Sequence, residues 1–536
     1  MRYKYLLAVL FAATTCLAES PFQADRYFKN TGGLFDHTSL LLVPPDKGSD
    51  INNYMLDDRG QLTARSGFNI LNATGTLTTS TAPITGGGYH NSQTGSDFFA
   101  IVAGTNVYRG GTNFNPNVTY TNITSTVVIT GTASNLAQHT SINDVEVFCN
   151  ELDPPFKVSS SGNAFALVGA PSVAKTCTTY ISYLLVGNTT ESGTSYPNRI
   201  RWSDINNPDS WPANNYFDIE PNDGDQIKSI IAFKDSVYVF KRRSIYRVLS
   251  TGLSGADAFI IRPFSRNLGA YAKNSVRIIP NVGIAFLAAQ TAYILGDNEL
   301  SSYNYSQIEA IGDPIQRTFD KVQNSQWANV VGAVYPQRYQ YWLSVSTAGS
   351  TNTEVLVYDW VQKGWTKYSG VPLNMMDTAI DNNGKNVLIT GGYSGDAYEF
   401  VENQNFDNPR HVQTEIATSY TTGWLTQNTP EYNKSYKYLY IFTQQNSTAS
   451  LTVSAGYDYG TTFETTYTVG FGSGLALYNT AKYDTDTYAT SGIIENRFEL
   501  NREAKAIQLK FAGSSATASV GIIGWTIVYQ NLDWKQ

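Results

Sequence analysis

The chain contains 536 residues, of which 42% are hydrophobic and 15% charged, and its formal net charge is −7. This hydrophobic content is enough for large buried cores and excludes a disordered chain. The 44 acidic and 37 basic residues argue against a protein that grips DNA through phosphate neutralisation. The length predicts about two to four folding units, and the 36 Tyr, 25 Phe and 43 Gly residues favour strands joined by tight turns.

Residues 1–20 form a signal-like N-terminal segment, MRYKYLLAVLFAATTCLAES. A basic start, an apolar run of about 13 residues and a small residue before the break are typical of a secretory signal. The run is too short for a helix that crosses a membrane. Taken alone, the segment favours export and cleavage near Glu19. Residues 21–95 are predicted to form an N-terminal arm with a few strands of its own.

Residues 96–405 repeat one pattern, a short apolar or alternating run, a turn and a second run. Clear pairs are DFFAIVAG with TNVYRGG (97–111), SIIAF with VYVFK (229–241) and NVLITGG with DAYEFVE (386–402). Paired strands at this spacing predict small sheets repeated around an axis, a β-propeller of about five to seven blades. The stretch from Asp313 to Val322 is predicted to be a short helix, because Asp-Pro opens it.

The composition changes after Asp407. Residues 412–536 contain longer alternating strands, such as YKYLYIFT (436–443) and IIGWTIVYQ (522–530). One apolar face per strand, with glycine-rich turns between strands, predicts an antiparallel sandwich. The predicted fold class is therefore all-β, a β-propeller with a C-terminal antiparallel β-sandwich.

Reactive residues are sparse and show no catalytic spacing. The four histidines lie in polar, turn-like stretches, and each is predicted to be a surface or loop residue: His37, His90, His139 and His411. No nucleophile elbow, phosphate-binding loop or dinucleotide fingerprint is present. Cys149 and Cys177 are predicted to be buried, unlinked thiols, with a single disulfide as the alternative. The sequence predicts no enzyme activity, no cofactor and no metal site.

Three local stretches allow a second interpretation. The acidic stretch Glu220–Asp225 and the pair Asp484 and Asp486 could bind calcium, but they lack EF-hand spacing, and ordinary turns are preferred. The stretch Tyr457–Phe463 is similar to the Asp-box turn of sialidases without its leading serine, and a plain hairpin turn is predicted.

A dense basic patch is formed by Lys241, Arg242 and Arg243, with Arg247 close by in the sequence. These residues either contact DNA phosphates inside a channel or lie at the solvated tip of a hairpin. Their charge alone does not distinguish the two interpretations, because both place basic side chains in a polar surrounding.

Three segments resemble one known family. The first is NRIRWSDINNPDSW (198–211), followed by YFDIEPNDGDQIKSIIAFKDSVYVFKRRSIYRV (216–248). The second is the opening NTGGLFDHTSLLLVPPDKGSDINNYMLDDRGQLTARSGFNIL (30–71), and the third is VLVYDWVQKGWTKYSG (355–370). Together they resemble the β-propeller tail nozzle proteins of short-tailed phages, also described as tail tubular protein B or packaged-DNA-stabilising proteins.

The resemblance implies a structural role for the first segment. Its two tryptophans would supply apolar area between blades, its Ser-Asp pair would bond the following turn, and its Asn-Pro pair would set the dihedral angles of that turn. The residues of this structural motif are Arg201, Trp202, Ser203, Asp204, Asn207, Pro208 and Trp211.

The resemblance also implies a virion protein of the phage tail. The subunits would form a homo-oligomeric ring of about six copies that contacts the adaptor and other tail proteins. Double-stranded DNA would pass through the lumen without tight binding. Residues 1–20 would then stay attached and dock on a neighbouring subunit, and the chain would have no membrane span.

Two other functions remain open. The first is a secreted β-propeller that binds glycans or a surface partner and is extracellular once its signal is cleaved. The second is a propeller glycosidase, which requires converging acidic residues and arginines that the sequence does not show.

Overall fold

The computed structural model describes residues 22–29, 32–56, 60–71, 77, 82–114, 119–130, 132–296, 308–444, 449–471 and 493–532. Within these ranges the regular secondary structure is almost entirely β-strand. The arm contributes β1 (Gln23–Phe28), β2 (Gly33–Leu34), β3 (Lys47–Asn52), β4 (Tyr54–Leu56), β5 (Leu62–Ala64) and β6 (Gly67–Ile70).

Antiparallel four-stranded sheets follow, and each is a meander of short strands joined by tight turns. Their glycine- and asparagine-rich turns and half-buried alternating strands are the reason why each run pairs with the next one along the chain. Blade 1 consists of β7 (Ile84–His90), β8 (Phe98–Ala103), β9 (Asn106–Gly111) and β10 (Thr121–Asn122). Blade 2 consists of β11 (Gln138–Ile142), β12 (Val145–Cys149), β13 (Phe156–Ser159) and β14 (Phe165–Ala166). Blade 3 consists of β15 (Val173–Tyr180), β16 (Tyr183–Glu191), β17 (Thr194–Trp202) and β18 (Tyr216–Asp218).

The second half of the ring repeats this meander. Blade 4 consists of β19 (Ile227–Phe233), β20 (Ser236–Lys241), β21 (Ile245–Ser250) and β22 (Phe259–Ser265). Blade 5 consists of β23 (Arg277–Ile279), β24 (Gly283–Leu287), β25 (Ala292–Gly296) and β26 (Ile308–Ala310). Blade 6 consists of β27 (Val331–Tyr335), β28 (Gln340–Val345), β29 (Glu354–Asp359) and β30 (Gly364–Ser369). Blade 7 consists of β31 (Met375–Ile380), β32 (Asn386–Gly391), β33 (Ala397–Val401) and β6 of the arm.

The seven blades seen in the described residues form a closed ring, a β-propeller. The first strands of successive blades lie side by side, and β31 of blade 7 returns to β7 of blade 1. Blade 7 is completed by the arm, because β6 pairs with β33 in the register Phe68 with Phe400. This pairing fastens the two ends of the propeller segment together and gives blade 7 its fourth strand.

The C-terminal strands form a sandwich. They are β34 (Phe406–Asp407), β35 (Thr414–Thr422), β36 (Lys434–Gln444), β37 (Ser450–Tyr457), β38 (Thr465–Val469), β39 (Ile493–Ala504), β40 (Ile507–Ser515) and β41 (Gly521–Asn531). One sheet has the order β39-β36-β41-β5-β4 with β1 added on β41, and the other has the order β3-β35-β40-β37-β38. Strand β3 also touches β30 at Asn52 and Lys367, so the second sheet continues into blade 6.

The interior of the sandwich is continuous with the propeller. Trp525 and Tyr436 of the sandwich belong to the same buried cluster as Trp365 of blade 6 and Phe319, which follows blade 5. Trp525 packs at 4.9 Å from the ring of Phe511. Shared apolar burial of this kind makes the two units one body in energetic terms.

Helical structure is limited. The predicted helix is confirmed as a 3₁₀ turn, Asp313–Ile315, that leads into α1 (Gln316–Asp320). Further 3₁₀ turns are Leu40–Leu42, Gly255–Asp257, Lys273–Ser275, Asn324–Asn329, Pro336–Arg338 and Pro409–His411. None of the helices in the described ranges has the length and apolar character needed to cross a membrane.

The structure divides the chain differently from the sequence-based boundaries. The region predicted as an independent arm, 21–95, contains β7 of blade 1 and β6 of blade 7, while its other described strands join the two sandwich sheets. The predicted propeller start at 96 is therefore too late, because β7 begins at Ile84. The pairing of β6 with β33 spans more than 300 residues and leaves no local signal in the sequence. Strand β7 pairs with the adjacent β8, but its sequence ITGGGYH is rich in glycine, which is untypical of a strand interior.

Candidate functional site

The motif residue Trp202 lies between blades 3 and 4. It is the last residue of β17 and is fully buried. Its ring lies 5.3 Å from the rings of both Phe217 in blade 3 and Phe259 in blade 4. Its Nε1 donates a hydrogen bond to the carbonyl of Gly255 at 3.1 Å. An aromatic wedge with a satisfied polar atom packs two blades together.

The Ser-Asp pair of the motif fixes the turn that follows. The Ser203 hydroxyl accepts a hydrogen bond from the backbone N–H of Leu184 at 3.1 Å. The Asp204 carboxylate accepts one from the Ser210 hydroxyl at 2.5 Å. Both side chains are used within the fold, which is a structural use of short polar residues at turns.

The remaining motif residues hold the same loop. Arg201 donates to Glu191 Oε2 at 2.7 Å and to the Trp211 carbonyl at 3.3 Å. Asn207 lies in the turn, and the carbonyl of Pro208 accepts a hydrogen bond from Trp211 Nε1 at 2.8 Å. The loop is thus closed by its own side chains.

The loop also reaches back to blade 2. Asp209 accepts a hydrogen bond from the backbone N–H of Val168 at 3.1 Å and forms an ion pair with Lys157. Trp211 packs against an apolar cluster that contains Leu167. The segment 198–211 therefore joins three consecutive blades.

Two of the family-like segments contact each other. Gly33, at the start of the opening segment, has φ of +78°, and a Cβ there would lie 2.6 Å from the backbone nitrogen of Trp365 in the third segment. Only glycine fits this approach and this backbone conformation. Further along, the N–H of Asn53 donates to the carbonyl of Lys367 at 2.7 Å.

Arg65 and Gly67 of the opening segment form the joint between arm, propeller and sandwich. Arg65 is buried and makes two hydrogen bonds to Asp407, at 2.6 and 2.8 Å, while its Nε donates to Asn53 at 2.9 Å. A Cβ at Gly67 would lie 1.7 Å from the carbonyl oxygen of Phe406. A paired, fully hydrogen-bonded buried charge fixes the register of this joint.

The axis of the propeller is filled at one end by residues 132–137, which we call the axial plug. The plug lies between blades 1 and 2, yet its Leu136 is buried in a cluster with Val331 of blade 6 and Met376 of blade 7. An apolar side chain from the connection between blades 1 and 2 thus packs against blades 6 and 7. Together with hydrogen bonds from Asn274 of blade 5 and Asn374 of blade 7, this contact makes the plug span one end of the axis.

Three buried amide side chains surround the plug. Asn274 donates to the carbonyl of Ala137 at 3.4 Å, and Asn374 donates to the carbonyl of Ala133 at 3.2 Å. Gln138 directly follows the plug and is also buried. The side-chain oxygens of all three amides accept no hydrogen bond from the described residues.

Further along the axis lies a charged cluster. His139 Nδ1 is 2.7 Å from Glu146 Oε1, and its Nε2 is 3.2 Å from Asp377 Oδ2 of blade 7. His90 Nδ1 lies 3.2 Å from the other oxygen of Glu146. A Cβ at Gly88 would be 2.6 Å from the His139 ring, so the glycine in β7 makes room for the contact.

The carboxylates control the charge of this cluster. Burial alone would lower the pKa of His139, but Asp377 and Glu146 outweigh it and raise that pKa to about 10. Burial would raise the pKa of Glu146, but its hydrogen bonds from His139 and His90 outweigh burial and lower the pKa. The cluster therefore holds a protonated His139 between two carboxylates at neutral pH.

The surface prediction is wrong for two of the histidines. His90 is fully buried at the end of β7, and His139 is partly buried in β11. Polar neighbours in sequence suggested loops, whereas the ring brings three first strands together around these side chains. His37 and His411 are exposed, as predicted.

The predicted basic patch does not form one surface. Lys241 is fully buried, and its ammonium donates to the carbonyls of Ile219 and Glu220 and, at 2.5 Å, to Asp223. It is therefore not available to DNA, which corrects its predicted role as a channel contact. The acidic stretch considered for calcium holds this ammonium instead.

The other members of the patch are separated. Arg242 and Arg243 are exposed at the turn between β20 and β21, where their backbone N–H groups donate to Asp225 at 3.0 and 2.9 Å. Arg247 lies further along β21, and its Nε donates to Ser236 at 2.5 Å. Only the two neighbouring arginines share a surface.

The remaining sequence predictions concern small features. Cys149 and Cys177 are buried and unlinked, as predicted. The stretch Tyr457–Phe463 is a hairpin turn between β37 and β38, in which Asp458 accepts a hydrogen bond from the N–H of Lys505 at 2.6 Å. Asp484 and Asp486 lie outside the described residues. The described ranges contain no group of three or more His, Cys, Asp or Glu side chains that could hold a metal ion.

Sequence reasoning missed three lysines at the axis. Lys175, Lys228 and Lys273 belong to blades 3, 4 and 5 and lie at or near the start of the first strand of each blade. A lysine near the start of the first strand in consecutive blades is a recognisable signal, but only once the blade register is known.

The sheet order and the ring closure define the class of the protein, an all-β protein built on a seven-bladed β-propeller. Among solved structures, the chain is similar to the computationally designed Ika8 protein, with 9% identity and a TM-score of 0.37, over 62% of this chain and 99% of that one. It is also similar to the Pan2 WD40 domain of Neurospora crassa, with 9% identity and a TM-score of 0.37, over 65% of this chain and 96% of that one.

A third similar structure is the extracellular domain of BT4673 from B. thetaiotaomicron, with 10% identity and a TM-score of 0.42. The match covers 72% of this chain and 45% of that one. No family model and no curated protein matches the chain. The propeller assignment accordingly depends on the strand pairing described above.

Proposed function

We propose that the chain is a structural virion protein, a subunit of the tail nozzle of a short-tailed phage, without catalytic activity. The observation that carries the proposal is the position of the family-like segments. The opening segment contacts the third segment through Gly33 and Trp365, and the segment 198–211 joins blades 2, 3 and 4. In these segments the family-like residues form contacts between strands and blades. Such a structural use fits a protein that functions through its shape and its assembly with other subunits.

The axial plug affects where DNA could pass in the proposed nozzle. Because Leu136 of the axial plug packs on Val331 and Met376, a duplex has no path through the propeller itself. In the proposed nozzle, DNA passes between subunits, through the lumen of a ring of about six copies. The net charge of −7 favours a lumen that confines DNA without binding it tightly.

An apolar surface on the sandwich supports assembly. Leu40, Leu41 and Leu42 are 41%, 44% and 66% exposed, and Tyr459 beside Trp424 is 43% exposed. Exposed apolar side chains grouped in this way are typical of surfaces that are covered in an assembly. In a ring, this surface would face a neighbouring subunit, the adaptor or another tail protein.

The test is the oligomeric state of the purified full-length chain, measured by electron microscopy and by mass photometry. The expected result is a closed ring of about six subunits, with the same ring on the tail axis of virions. A chain that stays monomeric at micromolar concentration, and that antibodies do not detect on virions, would contradict the proposal.

A paired variant locates the subunit contact. The double substitution Leu41→Asp, Leu42→Asp places charges on the apolar surface and is expected to convert rings to monomers. Leu253→Asp is the matched control, because Leu253 is 64% exposed in the loop between β21 and β22 of blade 4. If the double variant forms rings as readily as the control does, the contact lies on another face of the subunit.

A secreted propeller that binds glycans or a surface partner is the second candidate. The observation that favours it is the basic start and apolar run of residues 1–20. Mass spectrometry of the mature N-terminus distinguishes the candidates. An intact N-terminus in virions supports the nozzle, and a chain in the medium that starts near Glu19 supports export.

A further inference from the structure

The mouth of the axis beside the axial plug collects basic side chains from three consecutive blades. The first strands β15 and β19 run parallel, because Thr176 and Thr178 accept hydrogen bonds from the N–H groups of Ile230 and Ala232. Both strands therefore begin at the same end of the axis. Lys175 and Lys228 lie at these beginnings, and Lys273 precedes β23 of blade 5 at the same end.

Direct contacts bring these residues together. Lys273 is buried, and its ammonium donates to the carbonyl of Lys175 at 3.3 Å and to Glu151 of blade 2 at 2.8 Å. Gln138 donates to the carbonyl of Lys273 and to the hydroxyl of Ser229, both at 3.0 Å. Ser229 adjoins Lys228, so one hydrogen-bond network links all three blades. We call Lys175, Lys228, Lys273, Arg242 and Glu151 the mouth cluster.

The charges of the mouth cluster do not balance. It contains four cationic side chains and one carboxylate, and that carboxylate is already paired with Lys273. In the described part of the chain, the Lys228 ammonium makes no hydrogen bond. Asp223 pairs with the Lys241 ammonium, whereas Asp225 accepts only the backbone N–H groups of Arg242 and Arg243 and keeps its negative charge. With Asp225 counted, four cations still face only two carboxylates.

The excess of positive charge lowers the pKa of a lysine and of a carboxylate in the mouth cluster. Burial lowers the pKa of Lys228, and the neighbouring Lys175, Arg242 and Lys273 lower it further against the opposing effect of Glu151. Burial would raise the pKa of Glu151, but Lys273, Lys175 and Lys228 outweigh burial and lower it. Half-buried cations that repel one another are stabilised by an added anion.

The base of the mouth is closed and polar. The axial plug blocks the axis behind the cluster, and the buried side-chain oxygens of Gln138 and Asn274 accept no hydrogen bond from the described residues. A buried amide oxygen without a donor costs free energy until a hydroxyl group or a water molecule supplies one. An anion supplies the missing negative charge, and the unpaired amide oxygens accept either from a hydroxyl of inorganic phosphate or from a water molecule beside a phosphodiester.

We propose that the mouth cluster is a binding site for a phosphate group, held by Lys175, Lys228 and Arg242 and positioned by Lys273. The inference is independent of the proposed nozzle function, because it depends only on the charges and contacts at one end of the propeller axis. A phosphate group reaches this site either as free inorganic phosphate or as part of a DNA strand.

The experiment uses the full-length chain and isothermal titration calorimetry at constant ionic strength. One arm titrates inorganic phosphate, and a second titrates a short DNA duplex without terminal phosphates. We expect wild type to bind in at least one arm and Lys228→Met to bind at least tenfold more weakly in that arm. Lys234→Met is the matched control, because Lys234 lies in the same blade at the turn between β19 and β20, and it should bind as wild type does.

The two titrations distinguish inorganic phosphate from a DNA phosphodiester as the ligand of the site. Binding of phosphate alone assigns the site to the free ion, and binding of the duplex, lost in Lys228→Met, assigns it to a phosphodiester. Without ligand, Lys228→Met should unfold at the same temperature as wild type or a higher one, since the substitution removes repulsion. No binding in either arm, equal binding by Lys228→Met, or a clear loss of stability in that variant overturns the proposal.

Discussion

His139 in the propeller and Lys434 in the sandwich are both cationic side chains removed from bulk water, but their surroundings differ. His139 lies between the carboxylates of Glu146 and Asp377, which raise its pKa to about 10. Lys434 is fully buried and donates to backbone carbonyls, among them that of Thr429 at 2.6 Å. Burial lowers the pKa of Lys434 to about 8, against the weaker opposing effect of more distant acids.

The difference reflects how the two regions are built. Propeller blades pack side by side, so their first strands meet around an axis where polar and charged side chains collect. The faces of a sandwich meet directly, and their interior is apolar and aromatic, as Trp525, Tyr420 and Phe511 show. The propeller is therefore sensitive to lost charge partners, and the sandwich to lost volume.

The largest effect is expected in the sandwich. Trp525→Ala removes a fully buried indole and should lower the free energy of unfolding by about 3–5 kcal/mol, through lost burial and the cavity left behind. Urea denaturation followed by circular dichroism measures the change. Val412→Ala, at a site 63% exposed, should stay within about 0.5 kcal/mol. A loss below about 1 kcal/mol for Trp525→Ala would show that this interior is not tightly packed.

A smaller loss is expected at the propeller axis. Glu146→Gln removes the buried carboxylate that bonds His139 and His90, and should cost about 3 kcal/mol, because the histidines lose their charge partner. The same urea experiment applies, with Glu499→Gln as an exposed control. Equal stability of the two variants would contradict a structural role for the charged cluster.

The pH dependence of the propeller follows from the raised pKa of His139. The stabilisation by its protonated form is complete below the unfolded value of about 6.5 and is lost as pH rises through about 10. Between these values, unfolding free energy should fall by up to about 1 kcal/mol per pH unit relative to His139→Gln. Parallel stability profiles of the two proteins from pH 6 to pH 10 would show that His139 does not titrate in this way.

The smallest expected effect is in the sandwich, where stability should rise with pH instead of falling. Because the pKa of Lys434 is lowered to about 8, the unfolded chain binds more protons between about pH 8 and 10.5. Stability relative to Lys434→Met should therefore rise with pH across this narrower window. Thermal unfolding midpoints of both proteins at pH 8 and pH 10 measure the difference. A wild-type midpoint that falls relative to that of Lys434→Met between pH 8 and pH 10 would contradict the prediction.

Much of the fold could be predicted from local patterns. The runs SIIAF and VYVFK pair as β19 and β20, and the alternating run 522–530 lies within β41, because neighbouring strands and tight turns leave short-range signals. The division of the arm could not be predicted. Strand β6 pairs with β33 across more than 300 residues, and only the closed ring selects that partner.

The candidate sites show the same limit. The turn residues around Asn207 and Pro208 were recognisable because their function is local. His90, Glu146 and Asp377 come from separate blades, and nothing in their sequence neighbours indicates a shared cluster. Lys241 was interpreted as part of an exposed patch because adjacent basic residues usually lie in solvent, whereas the acidic turn before β19 buries its ammonium.

By itself, the sequence determined the all-β class, the strand pairs within blades and the turns, since these depend on side-chain periodicity and on residues a few positions apart. The tertiary structure alone decided the seven-bladed closure, the plug on the axis, the charged cluster and the mouth cluster. Each of these needs side chains from different blades, and their proximity comes from the ring geometry, which no short stretch of sequence encodes.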